Sequence, residues 1–180
     1  NLWRGQVEVY ENIGGTWTQI GEDIEGENFQ DISATSISLS NDGSIIAIGA
    51  PRSDGTANNS GHVRVYEISG SLWEQLGFDL DGEAANDYSG ISVALNAVGD
   101  RVASGGTGND GGGSNSGHVR VFEYSGGSWS QLGSDIDGEA ANDSSGMSVS
   151  INGDGTIVAI GASGNDDAGS ASGHVRVYEY

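Results

Sequence analysis

One seven-residue segment recurs every 56 residues, and this spacing restricts the chain to a repeat architecture. The segment reads Gly-His-Val-Arg-Val-Tyr/Phe-Glu at 61–67, 117–123 and 173–179, and a diverged copy fills 5–11. The step holds without insertion or deletion, so each unit is expected to be the same supersecondary structure. Further positions that keep it are Trp17, Trp73 and Trp129; Asp23, Asp79 and Asp135; and Gly49, Gly105 and Gly161.

Each unit contains four segments with strand character and none with a helical period. One alternates apolar and polar residues, one is almost continuously apolar, one is β-branched and aromatic, and one precedes an acidic loop. In the last unit these are Met147 to Ile151, Thr156 to Ala162, Val175 to Tyr180 and Trp129 to Leu132. Gly-rich turns separate them, at 152–155 and 125–128. The pattern predicts an all-β fold of β-propeller blades, with four antiparallel strands per 56-residue repeat.

The strand order divides one repeat domain, 1–180, into two whole blades flanked by partial ones. The predicted boundaries are a partial blade at 1–32, blades at 33–88 and 89–144, and a partial blade at 145–180. Propellers close with about 4 to 8 blades, and open sheet edges invite pairing with other strands. Two interpretations follow: the chain is part of a larger propeller, or it closes by association with other copies.

The charge excludes several partners. Six basic residues, all arginine, stand against 26 acidic ones, giving a net charge of −20. A nucleic acid backbone and an anionic membrane surface would both be repelled. The chain has no cysteine, hence no thiol chemistry, and no apolar stretch long enough for membrane insertion. The acidic residues have two explanations: solvation in a salty environment, or divalent cations held among carboxylates.

Three short segments of the repeat carry a resemblance to a known family. Gly146-Met-Ser-Val-Ser150 is similar to a Phe-Gly-x-Ser-Val strand, Gly49-Ala-Pro51 matches a Gly-Ala-Pro segment, and Gly173-His-Val-Arg-Val-Tyr178 is similar to Gly-x-Val-Tyr-Val-Tyr/Phe. In this order they resemble the FG-GAP repeat, which forms the blades of integrin α-type propellers and of many bacterial and algal surface proteins. The resemblance implies an extracellular or cell-surface location.

The chain departs from the family in the loop where calcium-binding FG-GAP blades carry Asp-x-Asp-x-Asp-Gly. Here that loop is Ser40 to Ser44, Asn96 to Asp100 or Asn152 to Thr156, each with a single acid. A calcium ion takes six to eight oxygen ligands. We therefore do not expect the family's calcium site in these turns.

The long loops concentrate the acidic residues at one end of each blade. Their Asp and Glu side chains are open to two interpretations: a metal site, with calcium as the possible ion, or caps on local turns through nearby backbone N–H groups. The weak candidates for metal ligands are Asp79, Asp81, Glu83, Asp87, Asp135, Asp137, Glu139 and Asp143.

His62, His118 and His174 recur at one position per unit. Equivalent residues of different blades are too far apart to share one ion, so we expect polar strand positions, with the nearby Arg64, Arg120 and Arg176 pairing with acids. The repeated tryptophans are expected to pack in the core or between blades, or otherwise to form sugar-stacking platforms.

No unique catalytic constellation is evident, because nearly every candidate residue is repeated. The sequence favours a non-catalytic module for adhesion or structural assembly, with other proteins or copies of itself as partners. The alternative is a lectin-like module that binds glycans, with or without calcium. A hydrolase or lyase would need asymmetric residues near the axis. Asn58 and Asn142 lie in glycosylation sequons in predicted exposed loops.

Overall fold

The computed structural model describes residues 4–180, so the first three residues of the predicted partial blade 1–32 lie outside it. This part of the chain is all-β, and it contains no helix, hence none that could span a membrane. The N-terminal strands form two small antiparallel pairs. They are β1 (Gln6–Val7) with β4 (Ile24–Glu25), and β2 (Tyr10–Ile13) with β3 (Thr16–Gln19).

Two complete sheets follow, and each is an antiparallel meander, as the sequence predicts. The first contains β5 (Ser36–Leu39), β6 (Ile45–Ala50), β7 (His62–Ser69), β8 (Leu72–Gln75) and β9 (Leu80–Asp81). The second contains β10 (Ser89–Leu95), β11 (Arg101–Gly106), β12 (His118–Ser125), β13 (Ser128–Gln131) and β14 (Ile136–Asp137). A third sheet, of β15 (Ser145–Ile151), β16 (Ile157–Ala162) and β17 (His174–Glu179), lacks the outer strand.

The outer strand of each complete blade is broken, which the sequence pattern did not indicate. In the first blade, β8 pairs with the second half of β7, and the two-residue β9 pairs with its first half, Val63 opposite Leu80. The second blade repeats this with β13 and β14 on β12. The interruption bends the edge strand and places the first acids of the long loop beside the start of the third strand.

The innermost strand of the later blades starts with a bulge. The register of β10 and of β15 shifts by two residues where Gly90 and Gly146 stand, and their φ angles are 84° and 86°. Left-handed backbone is open to glycine without steric cost. A Cβ on Gly146 would in addition overlap the carbonyl oxygen of His118 in the preceding blade, so both the backbone conformation and this close contact require glycine.

Apolar side chains are buried between sheets rather than within one sheet. One cluster joins Val63 and Val65 of the first blade to Val93 and Leu95 of the second. A similar cluster joins the second blade to the third sheet, and another joins the N-terminal strands to the first blade. The protein is therefore a row of sheets stacked face to face, the arrangement of propeller blades.

Both ends of the row leave apolar residues uncovered. Val175 and Val177 of β17 are 69% and 65% exposed, although Val63 and Val65 at the same repeat positions are fully buried. At the other end Ile37 is 54% exposed, whereas its equivalent Val93 is buried. The residue types are similar, so the difference in exposure comes from what packs against them. Val175 and Val177 have no following sheet against them, and Ile37 has no inner strands of a preceding blade against it.

Candidate functional site

Arginine side chains join each blade to the one before it. Arg120 donates from Nη2 to the carbonyl oxygen of Asp81 at 2.6 Å, and its Nη1 lies 3.7 Å from Glu83. Arg176 repeats both contacts with Asp137 and Glu139, at 2.6 and 3.6 Å. The expectation that these arginines pair with acids is met, and the acids belong to the preceding unit.

The acidic loop of one blade meets the histidine of the next at the seam between the two complete blades. His118 is 1% exposed, and its Nδ1 lies 3.7 Å from Oδ2 of Asp135. Glu83, from the preceding blade, brings a third ligand-type atom, and the three atoms lie within 4.8 Å of one another. Among the described residues, two further groups of this kind exist, around His62 and around His174. The chain thus contains histidine-acid clusters that could hold a metal ion.

The other two clusters differ in detail. His62 groups with Asp79 and Asp81 of its own blade, and its Nδ1 is hydrogen-bonded to the Ser53 hydroxyl at 2.9 Å. His174 lies on the uncovered third sheet, where its Nε2 is 3.5 Å from Glu139. Its side chain is 24% exposed, because no further sheet covers it.

Several of the predicted ligands are committed to turns instead. Asp87 accepts the backbone N–H groups of Glu83 and Ala84, at 3.1 and 2.8 Å. Asp143 accepts the backbone N–H of Ala140 and the side-chain amide of Asn165, both at 3.1 Å. Both carboxylates are buried and serve as caps of the long loop. The candidate set therefore divides: Asp79, Asp81, Glu83, Asp135 and Glu139 lie in the histidine clusters, whereas Asp87 and Asp143 cap turns and Asp137 lies in the short strand β14.

The short turns between the first two strands of each blade do not fit calcium. Asp42 accepts the backbone N–H and the hydroxyl of Ser44, at 3.0 and 2.7 Å, and these bonds lower its pKa to about 2. Asp154 caps its turn through Thr156 in the same way. Each carboxylate is used within its own turn, and no second acid stands beside it there. Each of these turns thus offers one carboxylate, already bonded within the turn, whereas a calcium ion takes six to eight oxygen ligands.

The tryptophans pack between blades. The indole N–H of Trp129 donates to the carbonyl oxygen of Leu76 in the preceding unit at 2.7 Å, and that of Trp73 donates to Ile20 at 3.3 Å. Trp17, which has no described unit before it, is 68% exposed. At the far end of the row, a cavity of about 200 Å³ beside Leu132, Gly133 and Tyr180 occupies the place where Trp129 packs at the previous seam.

Burial lowers the pKa of both interior histidines, so both are expected to be neutral at pH 7. The desolvation of His62 outweighs the opposing effect of its facing acids, and that of His118 acts together with the adjacent Arg120. The charged groups that face them are Asp79, Asp81, Glu27 and Arg64 around His62, and Glu83, Asp87, Asp135, Asp137 and Arg120 around His118.

We expect these two histidines to make the fold sensitive to acid. A histidine whose folded pKa lies below its unfolded value, about 6.5, contributes stability above that pH, and the contribution is lost as pH falls through the folded pKa. The measurement is the free energy of unfolding in urea with EDTA, from pH 7.5 down to 5, for the wild type and His62→Gln/His118→Gln. The wild type should lose stability relative to the variant below pH about 6.5. Parallel pH profiles would contradict the assignment.

The sequence did not predict the histidine clusters, because the three histidines were considered only as ligands of a single shared ion. They do not share one ion, but each meets acids of its own seam. The available signal was a double spacing: His118 follows Glu83 by 35 residues and precedes Asp135 by 17, and the 35-residue spacing recurs from Glu139 to His174.

The comparisons agree with this architecture. Residues 135–178 match the family model described as the FG-GAP repeat. No curated protein matches the chain by sequence. Among solved structures, a candidate 6-phosphogluconolactonase from Bacteroides uniformis is similar over 96% of this chain and 43% of its own, with 12% identity and a TM-score of 0.58. Hydrazine synthase from Kuenenia stuttgartiensis is similar over 97% and 55%, with 14% identity and a TM-score of 0.52. The chain thus spans about half the length of these two structures, and the likeness concerns the fold.

Proposed function

We propose that this FG-GAP repeat chain is a non-catalytic, extracellular or cell-surface propeller module that acts in adhesion or structural assembly through protein–protein contacts. The boundaries predicted from the repeat, with whole blades at 33–88 and 89–144, are part of this proposal. The observation that carries it is the bare C-terminal sheet, where Val175 and Val177 are exposed although their equivalents Val63, Val65 and Val119 are buried and Val121 is partly buried.

The chemistry of that surface specifies the kind of partner. β17 presents Val175 and Val177 on its face, and its outer edge is unpaired, whereas β7 and β12 are each covered by an outer strand. An uncovered apolar face beside an open edge favours another sheet as the occupant. The cavity beside Gly133 and Tyr180 would accept an indole, as Gly77 does for Trp129. We infer that a further blade of the same kind covers this end.

Binding, rather than catalysis, is also favoured by how the polar residues are used. The repeated arginines and tryptophans hold blades together, and the buried loop acids cap turns. Exposed tryptophans on the loop face would have favoured glycan binding, but Trp73 and Trp129 bond to backbone carbonyls at the seams. Their position therefore does not support glycan binding through these two tryptophans.

We expect the 180-residue chain to associate with itself in solution, because each copy offers a bare sheet end. The measurement is sedimentation velocity over a range of protein concentrations, for the wild type, Val177→Asp and Val98→Asp. Val98 is as exposed as Val177, at 65%, but lies in a hairpin turn away from the open sheet. Val177→Asp should abolish association and Val98→Asp should preserve it. A wild type that stays monomeric throughout, or two variants with equal effect, would contradict the proposal.

A further inference from the structure

We propose that Glu83, His118 and Asp135 form a binding site for a borderline divalent cation of the zinc type, placed across the seam between the two complete blades. The inference is independent of the proposed function, since it concerns how two blades are held and not what the outer faces bind.

The geometry already brings the ligand atoms together. Gln131 donates to Oδ1 of Asp135 at 2.6 Å, which fixes this carboxylate and leaves Oδ2 directed at Nδ1 of His118. Glu83 reaches the same place from the preceding blade. Zinc–ligand bonds are about 2.0–2.2 Å long. Atoms now within 4.8 Å of one another would need only small side-chain movements to share one ion.

The histidine itself supplies a second, independent observation. His118 is 1% exposed, and neither of its ring nitrogens has a hydrogen-bond partner. Buried polar groups in folded proteins are almost always bonded, and an unpartnered one needs an explanation. A cation bound to Nδ1 would be the missing partner of this nitrogen, and the carboxylates of Glu83 and Asp135 would bind the same cation.

The charges of the cluster also favour a bound cation. Glu83 and Asp135 are both acidic, and their ligand atoms lie within 4.8 Å of each other in the cluster. Arg120 is the neighbouring cation, and its Nη1 is 3.7 Å from Glu83. A divalent ion between the two carboxylates would relieve their repulsion. Glu83 and Asp135 are 47% and 29% exposed, so an ion can enter from solvent and keep water ligands.

The donor set selects the class of metal. Calcium binds six to eight oxygen ligands, whereas imidazole nitrogen suits zinc, copper, nickel and iron. One histidine and two carboxylates, with water completing a tetrahedron, match the three-ligand sites of zinc. The site therefore differs both in place and in chemistry from a calcium loop in the hairpin turns.

The equivalent seam before it offers a control within the same chain. There Ser53 occupies Nδ1 of His62, and Glu27, the counterpart of Glu83, lies 3.1 Å from Arg64. Asn109 replaces Ser53 in the next unit, where His118 Nδ1 is unpartnered. The proposal thus assigns the metal to the second seam, and it predicts that His62 is dispensable for binding.

The test is isothermal titration of the apo protein, prepared with EDTA, by zinc chloride and by calcium chloride. We expect saturable zinc binding, no competition from millimolar calcium, and a melting temperature that rises with zinc, since an ion that binds only the native state stabilises it. His118→Gln and Glu83→Gln should each weaken zinc binding at least tenfold, whereas His62→Gln should bind like the wild type.

Glu83→Gln distinguishes a loss of metal binding from misfolding, because this half-exposed loop residue can be changed without disturbing the core. Far-UV circular dichroism of each apo variant checks the fold. The absence of saturable zinc binding, equal binding by the wild type and Glu83→Gln, or equal losses in His118→Gln and His62→Gln would overturn the proposal.

Discussion

Gly105→Ala is expected to destabilise the protein by about 3 kcal/mol, the upper end of the cost of overpacking a well-packed interior. Gly105 lies in β11, and a Cβ there would overlap the carbonyl oxygen of Gly146 in the next blade. Backbone cannot move aside as a long side chain can, so the whole third sheet would have to shift. The measurement is urea unfolding followed by circular dichroism.

Gly161→Ala is the matched control, because Gly161 has the same position in the repeat but no following blade in the chain. A Cβ at this position meets only the Ser148 hydroxyl of its own sheet, which can rotate away. We expect a loss below about 1 kcal/mol. Gly153→Ala, where the added Cβ makes ordinary contact with Ala97 at 3.6 Å, should be close to neutral. Equal losses at Gly105 and Gly161 would show that the seam is not the cause.

Arg120→Met is expected to cost about 2–3 kcal/mol. The side chain is 6% exposed and donates a charge-assisted hydrogen bond to the Asp81 carbonyl, the kind of bond that contributes about 1.5–3 kcal/mol. Methionine would retain much of the packing over Phe122, whose ring lies 5.3 Å from the guanidinium, but would leave the carbonyl and Glu83 without this partner. The ion pair adds little, since Glu83 is half exposed.

The comparison for Arg120 is Arg52→Met, because Arg52 is exposed in a loop. Its loss should stay within about 0.5 kcal/mol. Arg120→Lys should fall between the two, since lysine keeps the charge but lacks the planar guanidinium that reaches the carbonyl. If Arg120→Met were as stable as Arg52→Met, the role assigned to Arg120 in holding the blades together would be contradicted.

The periodicity of the sequence was sufficient to predict the all-β blade and its strand order, because few other folds have a 56-residue repeat with alternating and β-branched segments. It also indicated that the tryptophans pack in the core or between blades, and Trp73 and Trp129 lie between blades. What it did not contain was the interruption of the outer strand, since a two-residue strand such as Leu80–Asp81 has no readable period.

The candidate site was predicted only in part, for a physical reason. Glu83 and His118 are 35 residues apart and in different blades, so their proximity depends on how sheets stack and not on local pattern. Asp87, in contrast, has a local role in the same loop, where its buried carboxylate accepts the backbone N–H of Glu83 four residues earlier. Burial of His118 and the absence of a partner for its ring could be known only from the three-dimensional arrangement.

Hydrogen–deuterium exchange at two protein concentrations tests the central claim, that the bare end of the blade row is a contact surface for another sheet. At low concentration the amides of β17 that do not bond to β16 should exchange quickly, because the outer edge of β17 is unpaired. At high concentration they should become protected, while the exposed turn around Val98 exchanges at an unchanged rate. Equal exchange of 174–180 at both concentrations would contradict the account.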